Sequence, residues 1–200
     1  MSLLSLIFLF ITCSAPVGPI EEKSFDAQPL IPTESGNITM HPLTMRECGY
    51  NIGDVACGIY ARDQSGSWQR LHDYEGKVIL LEFATLWCNF CMTAAFYHED
   101  ITKKFSKKKF QWVTVMLENW KGEKPYYEEL HEFGIMYGME EYPIWAGDRS
   151  LIIDERENKV KWPVGAVPTF FVINKNFKIT AIIQGWNTEL IIKELKRARK

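Results

Sequence analysis

Cys88 and Cys91 stand three apart in FATLWCNFCMTAA, residues 83–95. Three readings compete for such a pair: thiol–disulfide exchange, half of a thiolate metal site, or two buried thiols that are merely neighbours. Exchange needs one thiolate that attacks and a second thiol close enough to resolve the mixed disulfide. C-x-x-C spacing at a helix N-terminus meets both needs. One turn brings the sulfurs together, and the free N–H groups and helix dipole favour a negative first sulfur. Glu82 lies six residues before Cys88 inside the apolar run VILLEF, where an acid is costly unless it has a partner or a task.

Those positions require a strand, a tight connection and a helix, and the surrounding pattern supplies them. KVILLEFA (77–84) is a continuous apolar run of strand length, as expected for a strand buried on both faces. A helix is expected from Cys88 to about Lys108, with Ala94, Tyr97, Ile101 and Phe105 on one face. FQWVTVML (110–117) reads as a second buried strand, and Pro125 opens a helix with Tyr126, Leu130, Phe133 and Tyr137 at helical spacing. VACGIYARD (55–63) looks like an earlier strand, followed by the turn SGS (65–67). TFFVIN (169–174) and KITAIIQG (178–185) form a strand pair across NKNF. A closing helix is expected with Thr188 as N-cap, Ile191, Ile192 and Leu195 facing inward, and Lys/Arg in its last turn. The order predicts an α/β fold, a mixed central sheet flanked by helices on both faces.

ILLEFATLWCNFC closely resembles the active-site segment of the thioredoxin-like superfamily, in particular its redoxin, or TlpA/ResA-like, thiol–disulfide oxidoreductase branch. GAVPTFFVIN resembles that family's cis-proline segment. The resemblance covers about residues 46–200 and implies a thioredoxin-like fold with an N-terminal strand extension. It also implies that Cys88 attacks, Cys91 resolves and Glu82 helps to move the proton of the resolving thiol. Val167 and Pro168 would face the cysteines, with Val167 offering its backbone to an extended substrate. Asn89-Phe90 departs from the family by lacking proline between the cysteines, which leaves the redox potential, and so the direction of electron flow, open. Trp87 and Phe90 are expected to form an apolar rim for protein thiols or disulfides, and an unidentified redox partner is implied. No organic cofactor or metal is implied.

Two rival readings use the same residues. Thr85-x-x-Cys88 echoes the peroxiredoxin Thr-x-x-Cys, but Leu81 stands where those proteins carry a loop proline, and Trp87 and Cys91 also point away. Cys48 and Cys57 could pool with Cys88 and Cys91 as a zinc site, although structural sites favour tighter C-x₂₋₄-C knuckles. A reduced pair assisted by His98 or His131 could instead carry copper. In an oxidising compartment Cys48 and Cys57 read as a structural disulfide, with a second redox pair as the alternative. Trp68, Trp112, Trp120, Trp145, Trp162 and Trp186 are assigned mostly to packing. Residues 119–165 exceed a minimal thioredoxin and suggest an extra strand and hairpin.

The rest of the chain bounds the setting. Of 200 residues, 46% are hydrophobic and 24% charged, ordinary globular values. A formal net charge of -2 gives no reason to expect nucleic acid. The cluster Lys103, Lys104, Lys107, Lys108 and Lys109 falls at an expected helix end, where a solvated face is the simpler reading. Leu3–Ile11 is too short to span a bilayer and fits the apolar part of an export signal within residues 1–15, despite an n-region without Lys or Arg. Cys13 resembles the lipid-attachment cysteine of bacterial lipoproteins; cleavage near Ser14 and an uncleaved anchor are the competing readings. Residues 16–45, rich in Pro, Gly, Ser and Thr, read as a flexible tether, and 46–200 as the domain. The whole is expected to be an extracytoplasmic, periplasmic or membrane-anchored monomer.

Overall fold

Two largely apolar strands, interrupted by Glu82, Gln111 and Thr114, set the middle of the sheet. They are β3 (Val78–Ala84) and β4 (Phe110–Met116), paired in parallel with Glu82 opposite Thr114. The computed structural model describes residues 47–154 and 159–200. The expected leader, Cys13 and the tether lie outside the described residues.

Around that pair the chain adds β1 (Tyr60–Asp63) and β2 (Trp68–Arg70) as an N-terminal hairpin, then β5 (Ile144–Ala146), β8 (Thr169–Ile173) and β9 (Ile179–Gln184). The sheet order is β2-β1-β5-β4-β3-β8-β9, with β3, β4 and β5 parallel and the flanking strands antiparallel. Strands β6 (Ile153–Asp154) and β7 (Lys159–Val160) form a separate small hairpin. The extra strand and hairpin expected within 119–165 are therefore β5 and the β6–β7 pair.

Among the described residues there are four α-helices: α1 (Asn89–Phe96), α2 (His98–Thr102), α3 (Tyr127–Tyr137) and α4 (Thr188–Ala198). Successive crossovers β3–α1/α2–β4 and β4–α3–β5 step in the same direction, so right-handed connections place their helices on one face. Strand alternation then sorts the core. Leu80, Trp112 and Phe170 meet Ala94, Ile101, Ile191 and Leu195 on the helical face. Leu81, Phe83, Val115 and Phe171 meet Ile59, Leu71, Trp162 and Phe177 on the other. Among the described residues that second face is closed by irregular segments and a 3-10 turn (Leu71–Tyr74), where the sequence led us to expect helices.

Several local expectations are corrected. The helix expected to run from Cys88 to Lys108 breaks at Tyr97, which is half-exposed. The His98 ring, buried, bonds the Ala95 carbonyl at 2.9 Å and competes with the regular backbone partner of that oxygen. Helix α2 ends at Thr102, so Lys107, Lys108 and Lys109 lie in the turn before β4 rather than on a helix end. Tyr126 is the exposed N-cap of α3, not part of its buried face. Asn187, not Thr188, caps α4: its side-chain oxygen accepts from Leu190 N at 3.0 Å. Within VACGIYARD only Tyr60–Asp63 is strand. Trp112, Trp145 and Trp162 are core, whereas Trp68 and Trp120 are exposed.

Candidate active site

The carboxyl end of β3 delivers Thr85, Leu86 and Trp87 to the start of α1, and Cys88 is its N-cap in extended conformation (φ -88°, ψ 114°). From there the Cys91 amide donates to Cys88 Sγ at 3.3 Å and to Cys88 O at 3.0 Å. The first sulfur thus receives one of the N–H groups that a helix start leaves unpaired. On its other side Cys88 Sγ lies 3.5 Å from the Val167 carbonyl, to which the thiol donates. The Val167–Pro168 peptide bond is cis. Both cysteines are free thiols; Cys88 is 7% exposed and Cys91 1%. The outer sulfur is therefore the one a partner reaches first.

Behind the pair, Glu82 is buried on the helical face of β3. Its Oε2 accepts from Trp112 Nε1 at 3.1 Å and from Thr114 Oγ1 at 2.9 Å, while Oε1 has no partner. Burial raises its pKa to about 7, against the smaller lowering effect of those two hydrogen bonds. Burial also raises the pKa of Cys91, with the charge of Glu82 adding to it and a backbone bond from Thr85 opposing it. The buried carboxyl and the buried thiol of Cys91 therefore each disfavour the charged form of the other.

The rim is built from Trp87, about half-exposed, and Phe90, 67% exposed on the first turn of α1. Trp87 Nε1 donates to Glu118 Oε2 at 3.0 Å, and Glu118 also pairs with Arg149. The sequence reading missed Glu118, along with Trp112 and Thr114 as the partners of Glu82. Glu118 lies two residues beyond β4, at the carboxyl end of the parallel strand beside β3, where α/β sheets place their sites. That position is the signal that would have found it.

The remaining candidates lie apart from this centre. Cys48 and Cys57 are joined by a disulfide, S–S 2.11 Å, on the segment that bridges to Lys178 before β9. As a disulfide they offer no thiolates to a zinc site shared with Cys88 and Cys91. His98 is committed to the Ala95 carbonyl, and His131 lines an open cleft of about 780 Å³ beside Tyr74 and Tyr127 that no cysteine lines. Among the described residues, no three His, Cys, Asp or Glu side chains converge as a metal site.

Residues 52–182 match the sequence model of the AhpC/TSA family. The chain belongs to that family. Among curated proteins it is similar to the thiol–disulfide oxidoreductase ResA of Geobacillus thermodenitrificans, 29% identical over 145 residues, covering 72% of this chain and 75% of the relative. The ResA of Bacillus subtilis is 26% identical over 140 residues, covering 70% and 71%. Among solved structures, a protein described as a thiol:disulfide interchange protein DsbE from Chlorobium tepidum aligns with TM-score 0.61 at 22% identity, over 75% of this chain and 99% of that one. The exposed lipoprotein thioredoxin Etrx1 of Streptococcus pneumoniae aligns with TM-score 0.53 at 23% identity, over 70% and 99%. These structural likenesses show the thioredoxin-like fold.

Proposed function

We propose that the protein is an exported thiol–disulfide oxidoreductase that exchanges disulfides with protein substrates through Cys88 and Cys91. The observation that carries the reading is the placement of Cys88 Sγ between the Cys91 amide and the Val167 carbonyl, with Glu82 beneath. In the reducing direction the Cys88 thiolate attacks one sulfur of a substrate disulfide, and the other substrate sulfur leaves as a thiolate. Cys91 then gives its proton to Glu82 and attacks Cys88 Sγ. A Cys88–Cys91 disulfide forms and the second substrate thiolate is released; the same steps in reverse oxidise a substrate dithiol. Val167, beside Pro168, offers backbone groups for an extended substrate strand, and Trp87 and Phe90 provide apolar contact.

Export draws support from the Cys48–Cys57 disulfide, a bond that persists in oxidising compartments, and from the apolar Leu3–Ile11 leader. Attachment through Cys13 is the anchored form of the same reading. Cys88→Ser is expected to abolish reduction of insulin disulfides, and retained activity refutes the mechanism. The peroxidase alternative keeps one observation in its favour: Thr85, three residues before Cys88, has a buried hydroxyl without a partner. Peroxide consumption by the reduced protein, faster than free thiols achieve, would select it.

A further inference from the structure

We infer that the pole of the molecule opposite the cysteines is a docking surface for an anionic lipid bilayer. Two cationic segments distant in sequence meet there. Lys103, Lys104, Lys107, Lys108 and Lys109 lead into β4, and the Lys109 carbonyl accepts from Val78 N, the first residue of β3, at 2.9 Å. Lys196, Arg197, Arg199 and Lys200 end α4, and the Arg199 guanidinium sits 5.6 Å from the Phe105 ring. Every one of these nine side chains belongs to an exposed residue.

Local roles account for only some of them. Lys103 pairs with Asp100, Lys107 with Glu141 and Arg197 with Glu194, and Lys196 complements the dipole of α4. Among the described residues, Lys104, Lys108, Lys109 and Lys200 form no ion pair. On a protein whose net charge is -2, this is a local excess of positive charge on one end of the sheet.

The same end receives the chain from its N-terminal side. Gly53 N donates to Ile179 O at 2.8 Å and Val55 bridges Lys178. Ile179 pairs with Ile173, which pairs with Ile79 at the start of β3. The cysteines follow the other end of β3, seven residues and so about 20 Å away. The place at which residues 49–55 join the sheet does not by itself fix which side of it faces a membrane. A cationic pole does, because each Lys or Arg near an anionic surface adds about fivefold to partitioning. Headgroup contact here points Cys88, Trp87 and Phe90 away from the bilayer, toward soluble protein partners. The lysines are separate point charges on long stems, which suits a diffuse sheet of headgroups better than a nucleic acid.

The test compares the full chain on vesicles of phosphatidylcholine alone with vesicles that also contain phosphatidylglycerol. Apolar insertion by the N-terminal leader is common to both, so the difference reports charge. Wild-type protein is expected to prefer the anionic vesicles by about a hundredfold, with the preference lost on adding salt. K104Q/K108Q/K109Q/K200Q is expected to lose the preference while reducing insulin at the wild-type rate. Equal binding to both vesicle types overturns the inference. So does a preference that survives in the variant, or tighter binding to short duplex DNA than to the anionic vesicles. Vesicle binding needs no thiol chemistry, so its failure is distinct from failure of the oxidoreductase reading.

Discussion

Glu82 ties protonation to stability and, in the mechanism we propose, to rate. Its pKa is raised from 4.5 to about 7 by burial, so between those values the folded chain holds a proton that the unfolded chain has released. The stability contributed by the neutral acid is full below the lower value, falls as pH rises, and is gone above the upper one; its size is roughly 3 kcal/mol. Glu82→Gln keeps an acceptor for Trp112 and Thr114 but cannot ionise. Urea midpoints of the variant are expected to lose this fall between the two values and to exceed wild type on the alkaline side. The same variant is expected to resolve mixed disulfides about 100-fold more slowly, without the wild-type change in rate near neutral pH. Stopped-flow release of the second substrate thiol measures that. Glu118 carries a separate prediction. Glu118→Ala removes the acceptor that holds the Trp87 indole beside Cys88, and is expected to raise KM for a protein disulfide severalfold with kcat little changed. Glu118→Gln, which can still accept from the indole, is expected to restore KM.

At the scale of elements, the Cys48–Cys57 bond closes a loop with a sequence separation of 9 on the segment that reaches β9 through Val55 and Gly53. Chain entropy assigns such a loop about 2–3 kcal/mol. Cys48→Ala/Cys57→Ala is expected to lower the unfolding free energy by that amount and leave the Cys88–Cys91 potential unchanged. A shifted potential would instead make the two pairs one relay. The sequence made the central elements readable because their signals are long and local. An unbroken apolar run gave β3, and Glu82 within it had to be buried. The features that escaped depend on contacts between distant positions. Nothing near Tyr97 in sequence breaks a helix, and the contact found at the break, the buried His98 ring on the Ala95 carbonyl, has no signal in the sequence. Trp112 and Thr114 look like ordinary alternating strand residues until the parallel register of β4 sets them on Glu82. Trp120 carries no local sign of its exposure, because its place follows from the turn Asn119–Glu123, which is closed by backbone bonds.

For the molecule as a whole, the domain we propose for residues 46–200 makes a prediction about autonomy. Apolar clusters on both faces of the sheet draw on strands and helices from Ala56 to Ala198. A third cluster joins the cysteines to α3 through Leu130 and Phe133. The seven-stranded sheet runs from the β1–β2 hairpin to β9 without needing an added strand. Cys48 and Cys57 both lie after the boundary, so a chain beginning at residue 46 retains its disulfide. Such a fragment is expected to unfold in one cooperative transition, with a free energy within about 0.5 kcal/mol of the full chain. It is also expected to reduce insulin disulfides at the full-length rate. Residues 1–45 then serve location and not chemistry: they decide where Cys88 meets its partners, while the sheet and α1 decide how it reacts. A fragment less stable by more than about 2 kcal/mol would instead give those residues a packed role in the domain. Parallel urea titrations of the two proteins, with the disulfide intact in both, decide between these outcomes.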